Sequence, residues 1–165
     1  MTTGEASNPG ELQARRLEHV AEELTKMVQR PDIAQRLRTA PGENEWSAMQ
    51  ILGHIAEMIP YWMHDCQTIA ASHELPAFGR TLEAPERLAG PERGASGDPE
   101  QLLRQINEEV RAAAKLIRGF SPEERAKVGI HIRRGEMSVA SIIELFVVTH
   151  AEEHLAQIEE ALYEK

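Results

Sequence analysis

Apolar residues recur at helical spacing in four stretches of the chain, separated by segments with no period. Leu17, Val20, Leu24, Met27 and Val28 predict a first helix over 11–29, closed by Pro31. Pro31, Pro41 and Gly42 make residues 30–45 a connector with room for a short helical turn at 33–38. Ser47 and Gln50 have capping-box spacing, and a second helix runs from there to about Ala71. Ile51, His54, Ile55, Met58, Tyr61, Trp62 and Ile69 share one of its faces. Pro60 falls inside it and cannot donate to the Ala56 carbonyl, so a kink is expected. Asp98 and Pro99 open a third helix with the stripe Leu103, Ile106, Val110, Ala113 and Ile117, stopped by Gly119. Ser121-Pro122-Glu123-Glu124 begins another short helical turn. Residues 128–133 alternate apolar and polar too briefly to predict a sheet. Gly135 breaks the chain, Ser138 caps, and a fourth helix extends to about Tyr163.

Residues 74–97 are rich in Pro, Gly, Ala and Arg and show no period. So long a connection reads as a crossover that lets the second and third helices run parallel. The fold class expected is all-α, a four-helix bundle with that crossover. Residues 1–10 are expected to be a disordered polar tail, and 11–165 a single domain.

The pair His150-Ala-Glu-Glu-His154 sits in the middle of the fourth helix's apolar stripe. Residues four apart lie one above the other, and Val139, Ile143, Phe146, Val147, Gln157, Ile158 and Ala161 fall within roughly 80° of His150. Two imidazoles stacked a turn apart in an apolar groove form half of a metal site. Equally, they could be core histidines bonded to backbone, Glu57 or Glu153. His54 occupies the same mid-stripe position on the second helix. Three neutral imidazoles from two helices leave a coordination position open, the pattern of catalytic metals. Such a centre keeps the ion's full charge, attracts an anion, and acidifies a water or thiol in the open position. The ion expected is divalent, zinc, nickel or iron.

The chain has 27 acidic against 18 basic residues, a formal net charge of −9, which argues against nucleic-acid binding. One cysteine excludes an intramolecular disulfide and a cysteine-rich metal site. No secretory signal or membrane-spanning run is visible, so a cytoplasmic protein without membrane contact is expected.

The pattern Trp46-Ser47, Ile51-Leu52-Gly53-His54-Ile55-Ala56-Glu57, then Gly135-Glu136-Met137-Ser138-Val139, then His150-Ala-Glu-Glu-His154-Leu-Ala-Gln157-Ile158 resembles the DinB/YfiT-like superfamily. The resemblance spans nearly the whole chain. It implies an up-down-down-up bundle with a metal on one histidine of the second helix and an HxxxH pair of the last, here His54, His150 and His154. It also implies, for some members, thiol transfer using a low-molecular-weight thiol such as mycothiol or bacillithiol, and for others isomerisation or hydrolysis. The function expected is thus a metal-dependent transferase or hydrolase acting on a small molecule. The alternative is a non-catalytic, stress-associated module that binds metal or a small ligand.

Around the three histidines, Glu57 and Glu153 are candidates to orient imidazole N–H groups, against a plain reading as solvated glutamates. Tyr61 is a candidate pocket-lining residue or ordinary core, and Gln157 reaches toward the site or caps backbone. His19, His64, His73 and His131 lie off the central stripes and read as surface histidines. Asp65 is roughly 16 Å along the helix from His54, too far to share an ion. Cys66 reads as a buried inert thiol. Arg133-Arg134 reads as a solvated turn or, less simply, as a contact for an anionic substrate tail. A second apolar line, Leu52, Ile59, Met63 and Cys66 with Val148, Leu155 and Leu162, suggests a homodimer through the second and fourth helices, as in many of the family.

Overall fold

A computed structural model describes residues 8–163. Helix α1 (Pro9–Val28) is capped by Asn8, whose side chain accepts from the Gly10 and Glu11 amides. It therefore begins inside the segment expected to be a tail; residues 1–7 lie outside the described residues. A 3-10 turn (Pro31–Arg36) occupies the first connector. Helix α2 (Ala48–Ala71) opens with the Ser47–Gln50 capping box and runs unbroken through Pro60. Helix α4 (Pro99–Gly119), capped by Asp98, follows a shorter helix α3 (Pro85–Ser96). After the five-residue α5 (Pro122–Ala126), the last rod consists of α6 (Val139–Ile142), a π-helical stretch (Ile143–Val148) and α7 (Thr149–Tyr163).

The fold is a four-helix bundle in up-down-down-up order. Helices α1 and α2 each pack against both α4 and the last rod. Leu17 and Leu24 meet Ile51, Ile55, Ile106, Ile117, Ile143 and Ile158 in one core, every one of them buried. Each such side chain contributes roughly 1.5–3 kcal/mol by leaving water. Leu52, Ile59, Met63, Cys66, Val148 and Leu162 belong to the same core, and Leu155 packs against it. Most of the second apolar line is thus internal, with Leu155 half-buried at its edge.

Two features depart from the sequence expectation. The crossover is not structureless, because α3 lies across α2. Its buried residues are Gly90, Pro91 and Gly94, so it has no apolar stripe to betray it. Contact is instead made backbone to backbone: a Cβ on Gly53 of α2 would overlap the Gly90 carbonyl and lie 2.7 Å from the Gly94 nitrogen. The second departure is a small sheet of β1 (Ala77–Phe78), β2 (Val128–His131) and β3 (Gly135–Ser138). Strand β1 pairs parallel to β2, with Phe78 opposite His131, and β2 pairs antiparallel to β3. The alternation of β2 is inverted relative to hydrophobicity. Ile130 and Ile132 are exposed, while Gly129 and His131 are buried. A side chain at Gly129 would collide with Ile69 and Phe78, so the small residue must face inward.

Candidate metal centre

Helix α2 brings His54 into the core, 1% exposed, and α7 brings His150 and His154 up to it from the facing rod. Ring centroids are 5.6 Å apart for His54–His150, 4.7 Å for His54–His154 and 4.5 Å for His150–His154. One donor atom from each lies within 4.8 Å of the other two. Nitrogens sharing a tetrahedral ion at about 2.1 Å stand about 3.4 Å apart, so about 1 Å of side-chain movement would gather all three.

The donor chemistry fits a divalent ion. Both ring nitrogens of His54, and Nε2 of His154, are buried without a hydrogen-bond partner among the described residues. Unpartnered buried polar atoms cost a few kcal/mol each, which a shared ligand would relieve. Burial, reinforced by the neighbouring imidazoles, pushes His54 down to about 3 and His150 to about 4, and burial lowers His154 as well. All three are neutral near pH 7, so each keeps a lone pair to donate.

For His154 a neighbour selects which nitrogen carries that lone pair. Gln157 Oε1 lies 2.8 Å from His154 Nδ1 and accepts its N–H, leaving Nε2 as the free donor atom. Rotation of the rod is fixed from the far side. Arg16 of α1 reaches Glu144 at 2.9 Å and Glu152 at 2.7 Å, and Glu144 also accepts from Gln13 and Thr149. Glu144 lies in the π-helical stretch directly before His150, a deviation often found beside functional residues. Trp46 walls the cluster, its ring 5.1 Å from His54 and 6.4 Å from His154.

The expected accessory residues stand elsewhere. Glu57 does not orient an imidazole; Arg80 takes its carboxylate in a two-pronged ion pair with Nη1 2.6 Å from Oε2. Tyr61 lies under the same guanidinium, 3.8 Å from its ring centroid, and supports Arg80 from below. Glu153 is exposed and makes no hydrogen bond to an imidazole among the described residues. Cys66 is buried, its thiol pushed up to about 12 by desolvation, which removes it as a nucleophile. His19, His64 and His73 are exposed, as expected, but His131 is not. Its Nδ1 accepts from the amides of Arg133 and Arg134 at 3.1 Å each, so the ring's proton resides on Nε2. Burial and the two arginines depress its proton affinity and keep it neutral.

Beside the histidines lies a cavity of about 230 Å³, bounded by His54, His150, Met58, Trp62, Phe146 and His131, with Arg80, Arg87, Arg133 and Arg134. A wider depression of about 870 Å³ near Asn8 and Arg125 contains none of these histidines. Sequence reasoning missed Arg80 and Arg87 because they lie in the aperiodic crossover. It misplaced His131 because that residue lies off the helical stripes, in a strand that turns Ile130 to solvent and His131 inward.

The chain belongs to the DinB superfamily, whose family model matches residues 11–158. It is similar to the solved structure of YfiT from Bacillus subtilis, described as a probable metal-dependent hydrolase with an unusual four-helix bundle topology. The two share 18% identity with a TM-score of 0.77, covering 92% of this chain and 85% of that one. No curated protein matches the chain.

Proposed function

We propose that the protein is a metal-dependent enzyme whose His54, His150 and His154 hold a divalent ion and activate a water or thiol nucleophile against a small-molecule electrophile. The observation that carries this reading is the set of three neutral imidazoles, His54 buried and His150 and His154 half-buried, facing one another beside a cavity, two of them with orphaned nitrogens. The description of YfiT as a probable metal-dependent hydrolase supports it. A bound divalent ion would supply Lewis acidity and lower the proton affinity of the nucleophile beside it.

The chain's own residues do the rest. Gln157 holds the His154 ring with Nε2 directed away from the anchoring bond. Trp46, Trp62 and Phe146 shelter the site, reducing competition from bulk water. Three neutral ligands leave any bound divalent charge uncompensated, so an anionic nucleophile is favoured there.

Protein purified without an affinity tag and loaded with Zn²⁺, Ni²⁺ or Fe²⁺ tests this. Turnover is sought with p-nitrophenyl esters for the water route. For the thiol route, monochlorobimane is paired with bacillithiol, mycothiol or glutathione. The reading expects turnover in one arm, lost on metal removal and at least 100-fold weaker in His154→Ala. Metal binding without turnover in either arm would favour the non-catalytic binding module instead.

A further inference from the structure

We propose that the cavity beside the three histidines is an anion-recognition pocket, and that the substrate is a small molecule with an apolar body and a carboxylate or phosphate group. This rests on the functional reading above for what happens at the histidines, but the anion pocket stands on its own observations.

The first is charge. The chain as a whole has 27 acidic and 18 basic residues, yet the cavity wall holds four arginines and no aspartate or glutamate. Arg80 is neutralised by Glu57. Arg87, Arg133 and Arg134 form no salt bridge among the described residues. Arg87 contributes one hydrogen bond, to the Leu82 carbonyl, and Arg134 lies over the Phe146 ring at 5.2 Å. Three cations converging on one concave space attract an anion, and guanidinium groups suit its planar or tetrahedral oxygens.

The second is a fixed donor. Because two backbone amides hold His131 Nδ1, its Nε2–H cannot switch to an acceptor without losing both bonds. A neutral ring locked as a donor in the wall of an arginine-rich cavity complements an anionic oxygen and rejects a metal. The same β2–β3 turn therefore presents the histidine donor and two cations together. The third is the body of the pocket: Trp62 and Phe146, with ring centroids 4.6 Å apart, and Met58 line the same cavity as the arginines, His54 and His150, and supply its apolar surface.

The test uses full-length protein stripped of metal with a chelator, so that an anion has no ion to bind. Phenylacetate, phenyl phosphate and the uncharged phenylacetamide are titrated by calorimetry and by Trp fluorescence. At least one anion is expected to bind tenfold or more tightly than the amide, with affinity falling as salt rises. Preference between the two anions assigns the group as carboxylate or phosphate. Arg87→Gln and Arg134→Gln should each weaken the anion at least fivefold, while Arg93→Gln, outside this cavity, should not. Circular dichroism checks that each variant is folded. Equal binding of amide and anions, or unchanged affinity in folded Arg87→Gln and Arg134→Gln, would overturn the proposal. Failure of the metal reading would instead appear as absent metal or turnover with anion binding intact.

Discussion

Glu57 and Arg80 meet across 23 positions of sequence as a two-pronged ion pair in which both side chains are about one-tenth exposed. The pair ties α2, one turn past His54, to the start of the crossover, and Tyr61 stacks beneath the guanidinium. Breaking a buried pair by removing one partner strands a charge and costs on the order of 3–5 kcal/mol. Glu57→Gln is therefore expected to lower stability by roughly that amount in urea denaturation. Replacing both residues, Glu57→Leu with Arg80→Met, should recover much of the loss. Equal stability of Glu57→Gln and wild type would show that the pair contributes nothing.

Acid should weaken the metal-free protein in a defined window. In the folded chain burial holds His54 at about 3 and His150 at about 4, against 6.5 for the ordinary imidazole. As pH falls, the unfolded chain takes up protons that these folded residues refuse, so stability declines from about pH 6.5 toward pH 4. Above pH 7 neither state is protonated, and the two histidines contribute no slope. Urea midpoints measured on chelator-treated protein at pH 7.5 and 5.0 should differ, and His54→Leu should reduce the difference. An unchanged difference in that variant would assign the acid sensitivity to other groups.

Close contact between α2 and α3 makes a further, sharply contrasting prediction. A Cβ at Gly94 would overlap the Met49 carbonyl and lie 3.0 Å from the Gly53 nitrogen, whereas one at Gly119 meets nothing within 4 Å. Alanine has the better helix propensity at both sites, by up to about 1 kcal/mol. At Gly94 the overlap with backbone outweighs that gain, and Gly94→Ala should cost about 1–3 kcal/mol. Gly119→Ala should be neutral or slightly stabilising. Melting temperatures of the two variants check the contrast, and equal shifts would contradict it.

How much of this was legible in the sequence follows from what each element buries. Helices α1, α2 and α4 and the last rod bury apolar stripes, so the 3.6-residue period announced them, along with the capping residues Ser47, Asp98 and Ser138. His54, His150 and His154 were found because they stand in the middle of those stripes. Helix α3 buries glycines against another backbone, which leaves no periodic signal. Strand β2 turns Ile130 to solvent and His131 inward, so a histidine that lies off the helical stripes, and was read as a surface residue for that reason, is buried. Glu57 illustrates a different limit: its position beside His54 was evident, but its partner Arg80 comes from a segment whose path no local pattern fixes. The π-helical stretch likewise follows from tertiary packing, with Glu144 held by Arg16 and Gln13 of α1.

The central claim is that the three imidazoles hold one ion, and metal stoichiometry tests it most directly. Elemental analysis of tag-free protein, saturated with Zn²⁺ or Ni²⁺ and then dialysed, should find about one metal per chain in wild type and almost none in His150→Ala. Binding should also raise the melting temperature of wild type alone. A preparation that retains no metal, and melts at the same temperature with and without either ion, would contradict the account.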